Sequence, residues 1–213
     1  MANNNLFKTV IIQGTDADGI MVSQTLAAGT LAFGASAFLS NGIAVMTAAQ
    51  LVSITVTGDQ TGCNFLITGT DANGNVMSQT VAGTNGSVST STRYFKTVTS
   101  IVASGTITAA NTVIVGTTST NGAVSGTLSP NWRSVDFKAS VAVTIGTSAT
   151  YTVQHTFDDV TDLSIAPTWF DHDELRNMTV AEDGNYLFAV RGVRVRVTAA
   201  VGTVKITMLQ GNM

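Results

Sequence analysis

Along most of the chain, apolar residues alternate with polar ones or gather in short β-branched runs broken by Gly, Asn and Ser. The clearest alternation is VRVRVT: in an extended strand Val193, Val195 and Val197 fall on one face, and Arg194 and Arg196 on the other. On similar grounds strands are predicted in LVSITVTG (51–58), NFLITGT (64–70), YFKTVTSIVAS (94–104), TVIVGT (112–117), VDFKASVAVTIG (135–146) and ATYTVQHTF (149–157). Breaks recur about every ten residues, a spacing that suits a sandwich or barrel. No window carries a long amphipathic helix. The best, DHDELRNM at 171–178, has acids early and Arg176 late, as a helix dipole prefers, but spans two turns at most. The expected fold class is all-β, with two antiparallel β-sandwich or barrel-like domains.

The boundary is expected at GTTSTNGAVSGTLSPN (116–131), rich in Gly, Ser and Thr and holding one of two prolines. Before it lie three basic and four acidic residues; after Pro130 there are seven and nine. The reading is an N-terminal domain over 1–120, a linker over 121–130 and a C-terminal domain over 131–213. Inside the first domain, GTDADGIMVSQTLA (14–27) and GTDANGNVMSQTVA (69–82) match at nine of fourteen positions. Each follows an apolar stretch, so each is expected to be a hairpin. Asp16 and Asp71 would accept backbone N–H bonds two residues on, and Gly19 and Gly74 would take the left-handed conformation that closes the turn. A calcium loop is disfavoured, because the residues after each Gly supply too few oxygen ligands and no terminal Glu.

Composition agrees with β structure. Thr occurs 34 times among 213 residues, and charged residues are 11% against roughly 25% for an average soluble domain. A net charge of −3 offers no electrostatic footprint for nucleic acid or an anionic membrane. So few charges defend solubility poorly, which favours a protein whose surface ends up covered. No charge occurs between Asp18 and Asp59, yet polar residues interrupt that stretch too often for a membrane span. It is instead a candidate arm or self-association surface. The single cysteine, Cys63, excludes an internal disulfide, and MANNNLFK does not read as an export signal.

Chemistry-bearing residues cluster late. HTFDDVTDLSIAPTWFDHDEL holds Asp158, Asp159, Asp162, Asp171, Asp173 and Glu174 with both histidines, His155 and His172. The favoured reading is a solvated acidic surface, not an acid-base pair or metal centre, with Trp169 and Phe170 as an aromatic anchor in the core or an interface. Arg191, Arg194 and Arg196 make a short positive stripe, expected to pair with the Asp158–Asp162 loop within the chain or from a neighbour. The interface candidates are therefore Arg191, Arg194, Arg196, Asp158, Asp159 and Trp169. Nucleophile-elbow, phosphate-loop, zinc-protease and dinucleotide motifs are missing, so no enzyme, cofactor or metal is expected.

The run Val52 to Gly105, with TGDQTG, GTDANGN and YFKTVTSI, resembles a segment common in structural proteins of tailed bacteriophages. YTVQHTFDDVTD, TWFD and AVRGVRVRVTAAVGTVKITMLQG also resemble a recurrent virion module. The resemblance implies a capsid cement or decoration protein at the capsid surface, made in the host cytoplasm. Its implied partners are the major capsid protein and further copies of itself, a trimer first among oligomers, with no nucleic acid or membrane. It carries over no catalytic or ligand-binding residue. A head-tail or tail accessory protein, receptor- or glycan-binding, is the alternative; a polysaccharide-cleaving enzyme would need two carboxylates facing each other across a cleft.

Overall fold

The structure, a computed structural model, describes residues 4–11, 15–34, 36–108, 110–117, 122–162 and 166–211. These residues form strands and irregular turns without helix. In chain order the strands are β1 (Asn4–Ile11), β2 (Met21–Thr25), β3 (Gly29–Thr30), β4 (Leu39–Ser40), β5 (Ile43–Val56), β6 (Cys63–Thr70), β7 (Val76–Ala82) and β8 (Val88–Gly105). There follow β9 (Thr112–Thr117), β10 (Ala123–Val124), β11 (Ala139–Ile145), β12 (Ser148–Thr156), β13 (Phe170–Asp171), β14 (Glu182–Tyr186), β15 (Gly192–Val201) and β16 (Thr203–Gln210). No helix is long and apolar enough to cross a membrane among the described residues. The segment expected to be the best helix candidate, 171–178, instead holds the last residue of β13 and a series of bends. The chain divides into two compact units, 13–121 and 122–213 joined by 1–12.

The C-terminal unit is a sandwich of two antiparallel sheets, ordered β1-β16-β11-β14 and β13-β12-β15-β10. Their inner faces bury Val141, Val143, Val204, Ile206 and Met208 from one sheet and Tyr151, Val153, Val193, Val195 and Val197 from the other. Period-two alternation selects those residues: each is followed by a more exposed neighbour in β11, β15 and β16. Two expectations are corrected here. First, β1 lies within the span expected for the N-terminal domain, but it pairs along its whole length with β16, setting Leu6 opposite Met208 and Val10 opposite Val204. A strand's own sequence shows its periodicity; its partner is fixed by matching a distant face.

Second, the expected linker is part of the sheet. Ala123 and Val124 pair with Val197 and Arg196. Further on, Ser125 donates to the Val195 carbonyl at 3.0 Å, and Leu128 and Val193 exchange backbone bonds at 2.7 and 2.9 Å. Ala123, Val124, Ser125 and Leu128 are buried. Gly122 has φ +62°, and a Cβ there would overlap the Val197 carbonyl, so this glycine serves close approach to β15 rather than flexibility. Asn121, the first residue of the expected linker, and Gly14, the first residue of the repeat, lie outside the described residues.

The N-terminal unit builds its sheet in the order β7-β6-β8-β5-β9-β2, with β3 added to β8 and β4 to β5. Its core draws heavily on the charge-free stretch: Ile20, Met21, Leu26, Leu31, Phe38, Ala44, Met46, Val52 and Ile54 are all buried. That stretch is thus the inside of a domain and not an arm. Cys63, at the start of β6, is buried too, and burial pushes its thiol up. Where β5 faces β8, the register jumps between Leu51 and Ser53, so β8 bulges at Ser91–Arg93. The bulge is satisfied by side chains. Ser91 Oγ accepts from Val52 N–H and donates to the Arg93 carbonyl, both at 2.9 Å, while Gln79 Oε1 accepts from Thr92 and Arg93 N–H at 3.1 and 2.9 Å.

The repeat behaves differently in its two copies. In the second, β6 and β7 form the expected hairpin, Thr70 opposite Val76. Asp71 Oδ1 accepts from Asn73 and Asn75 N–H at 2.8 and 2.9 Å, and Gly74 has φ +88°. In the first copy a turn forms, with Gly19 N–H reaching the Asp16 carbonyl at 3.4 Å, but no hairpin. The preceding β1 is committed to the other unit, and β2 pairs with β9 instead. Gly19 does not have a positive φ; a Cβ there would meet the Phe38 ring at 2.6 Å, so packing is what requires glycine. The repeat therefore encodes a turn and the strand after it, not a duplicated hairpin.

Two outcomes follow from these contacts. Asp71→Ala and Gly74→Ala should each destabilise the N-terminal unit by about 1 kcal/mol, with Asp16→Ala costing less; urea midpoints compare the three. Val10→Ala should remove about 2 kcal/mol and raise amide exchange in β16 and β11 while β5, β6 and β8 stay protected, which exchange measured by NMR or mass spectrometry will read.

Candidate interaction surface of the C-terminal unit

The ladder between β12 and β15 positions the chemistry. Gln154 pairs with Arg194, Thr152 with Arg196 and His155 with Val193; on the other side of β12, Gln154 faces Asp171 and His155 faces Phe170. Alternation then separates two sets. On the outward face, Arg194 Nε donates to Gln154 Oε1 at 3.0 Å, and Gln154 Nε2 donates to Asp171 Oδ1 at 2.8 Å. The Arg194 guanidinium lies 3.9 Å from the centre of the half-buried Trp169 ring, a cation–π contact. Arg196 is half-buried beside it, its Nε without a hydrogen-bond partner among the described residues.

The acidic loop meets arginine at Arg191, whose guanidinium is 3.5 Å from Asp159 Oδ2 and 4.7 Å from the Trp132 ring centre. Arg191 N–H is anchored on the Thr156 carbonyl, which brings its side chain to the end of β12 where the loop begins. Asp159 Oδ1 accepts the side chain and backbone of Thr161 at 2.6 and 2.9 Å. These bonds, with a smaller contribution from Arg191, hold its carboxyl below the usual carboxylate range. Asp158 closes the excursion by accepting Thr168 N–H at 2.6 Å. Both acids of this pair are thus engaged in shaping their own loop. Trp132, Arg133, Pro130, Asp159, Thr161 and Arg191 line an open cleft of about 240 Å³, in which Arg133 also stacks on Trp132 at 4.8 Å. Asp159 is its only carboxylate among the described residues. No three His, Cys, Asp or Glu side chains converge as metal ligands among the described residues.

On the inward face at the end of the sandwich lies a cluster that joins His155, Phe157, Phe170 and His172 of the run expected to be an acidic surface to Tyr186 and Phe188, which were not singled out. His155 is buried with ring centres of Phe157, Phe170, Tyr186 and Phe188 at 5.5, 6.0, 5.3 and 5.5 Å. Tyr186 is covered, and His172 packs edge-on to it at 4.9 Å. His172 Nδ1 accepts Glu174 N–H, which leaves Nε2 to donate to the Asn185 carbonyl. The outer rings differ: Phe157, Phe170 and Phe188 are each about half exposed, and Leu187 is 79% exposed. His155 Nδ1 and the Tyr186 hydroxyl are buried without a hydrogen-bond partner among the described residues. The available signal was positional, since HTF, TWF and NYLF each set an aromatic at or just beyond a strand end.

No family model matches the chain, and no curated protein matches it. Among solved structures it is similar to the stem and receptor-binding domain of the spike protein P1 from bacteriophage PM2, at 9% identity over 99% of this chain and 97% of that one. The TM-score is 0.21, too low for a shared fold or function to be drawn from it.

Burial, reinforced by nearby His172 and opposed in part by Asp173 and Asp171, lowers His155 below the usual 6.5. The folded state then binds this proton less readily than the unfolded chain. Its contribution is complete above about pH 6.5 and is lost as pH falls through the lower folded value. The thermal midpoint of the C-terminal unit should therefore drop between pH 7 and 5, and His155→Phe should flatten that slope in calorimetry at constant ionic strength.

Proposed function

We propose that the chain is a non-enzymatic structural protein of a phage particle, a cement or decoration protein that stabilises the head shell. The observation that carries this reading is that both units are tightly built yet leave large apolar side chains uncovered. In the N-terminal unit these are Leu66, Val76 and Val88 on β6, β7 and β8; in the C-terminal unit they are the Phe157–Phe170–Leu187–Phe188 patch. Rigid β frames with uncovered apolar surface suit a protein that works by adding contact area between neighbours. The phage-like segments of the sequence point the same way. A low charge content is tolerable when such surfaces are covered in the particle.

A receptor- or glycan-binding role at the tail has one observation in its favour, the open Trp132 cleft with Arg133 and Arg191 beside it. The cleft does not favour glycoside cleavage, since its one carboxylate among the described residues is held by Thr161 and Arg191.

The test is co-sedimentation of purified protein with heads of the encoding phage. The expected result is saturable binding that Val76→Ser with Val88→Ser weakens at least about tenfold. Protein left in the supernatant at every concentration, but retained by host cells until Trp132→Ala releases it, would transfer the assignment to the tail.

A further inference from the structure

The aromatic patch has a complementary surface on the same unit, at the opposite edge of the four-stranded sheet. Sheet order β1-β16-β11-β14 puts β14, which leads into Leu187 and Phe188, at one edge and β1 at the other. On β1 and β16 the register sets Phe7 opposite Thr207, Thr9 opposite Lys205 and Ile11 opposite Thr203, so these side chains share one face. Phe7, Ile11 and Leu209 are each half exposed or more, and Lys205 Nζ sits 4.9 Å from the Phe7 ring centre. β1, β11 and β16 carry no carboxylate, and Lys205 lies on this face, whereas Lys8, opposite Ile206, belongs to the other side of β1. This face is apolar with a single base.

The patch is apolar and acidic. Residues 157–191, which supply all its exposed rings, hold eight acidic and two basic residues, a net −6. The chain as a whole is −3, which leaves +3 for the rest. Asp171 and Asp173 lie near enough to His155 to act on it electrostatically, and one of the two bases, Arg191, is already engaged by Asp159. At the β14 edge, Glu182 and Asp183 discourage strand-to-strand pairing there, so side chains rather than a continued sheet must make the contact.

We propose that the Phe157–Phe170–Phe188 patch docks on the Phe7–Leu209–Lys205 face of a second copy of the chain. Two different surfaces on opposite edges meet, so the contact is head-to-tail. A contact of that kind closes into a ring or extends as a filament, and does not make a two-fold dimer. Opposite charge and apolar surface on both sides give it direction and discourage each surface from pairing with itself. The idea builds on the structural-protein reading, because it names what covers one of the surfaces that reading leaves open.

Sedimentation equilibrium of the full chain tests it. The wild type should associate at micromolar concentration, and added salt should weaken association. Leu187→Ser with Phe188→Ser, and separately Phe7→Ser with Leu209→Ser, should each be monomeric. Mixed together, they retain one good patch and one good face, and should form a one-to-one dimer that goes no further. A monomeric wild type, unchanged association in either double variant, or a mixture that stays monomeric would overturn the proposal.

Replacing a half-exposed phenylalanine can disturb packing, so Lys205→Glu provides a second arm. It should weaken association at least about tenfold without changing the thermal midpoint, and an unaltered association constant would likewise sink the idea. If copies associate as described but do not bind heads, the cement reading falls and this contact stands. If heads bind a strictly monomeric chain, the reverse holds.

Discussion

The register between β12 and β15 is the constraint on which the C-terminal unit depends. Set as it is, Val193, Val195 and Val197 face Tyr151 and Val153 inside the sandwich, and Arg194 is left outside beside Gln154 and Trp169. A slip of one residue would turn two arginines into the core and three valines out of it. The register also places His155 opposite Phe170, and so gathers the aromatic patch. Position 194 fits this arrangement well: it needs a long, planar cation that can lie on an indole while one N–H reaches an amide oxygen, which lysine cannot do equally well.

What could be read from the sequence was mostly what is local. β-Branched runs marked β6, β9 and β12 to within a residue, and alternation marked the first part of β15, because a sheet with one face more buried than the other imposes a period of two on its side chains. Partner choice was not legible. Nothing within NNLFKTVI says that it pairs with the last strand, and nothing within AVSGTL distinguishes a docked edge from a linker. Gly122, just before that segment, and Ser125 within it look like flexibility, yet one is needed for close approach to Val197 and the other exchanges bonds with Val195. Small polar residues belong equally to loose chain and to backbone packed tightly on backbone. The aromatic patch was hidden for a related reason, since its rings come from three segments that only the fold brings together. Trp169 and Phe170 were marked as an anchor, but Arg194, expected beside the acidic loop, is what holds Trp169.

The repeated motif shows how sequence identity can be real while the inferred unit is wrong. Its shared Asp and Gly close turns in both copies, but only Gly74 needs its backbone freedom, whereas Gly19 needs the absence of a side chain. The shared glutamine tells more. Gln79 satisfies the bulged backbone of β8, and Gln24 donates to the Ala32 carbonyl. In each copy, the strand after the turn carries an amide that completes irregular chain nearby. That common task explains why Gln recurs at the same place although the strands around it pair differently.

Charge and apolar surface are divided between the units in a way that bears on function. The N-terminal unit takes the charge-free stretch for its core and leaves aliphatic side chains, Leu66, Val76 and Val88, on its surface. The C-terminal unit carries most of the charge and exposes aromatic rings among acids. Aliphatic surface gains by area alone and is permissive about its partner; aromatic rings set among carboxylates demand a complementary sign and shape. The two surfaces therefore suit different tasks. The first fits a broad contact repeated over a shell, and the second fits a directional contact with a single kind of neighbour. For the two proposed contacts, one with a shell and one with further copies, placement on separate units means that a change in either surface leaves the other contact intact.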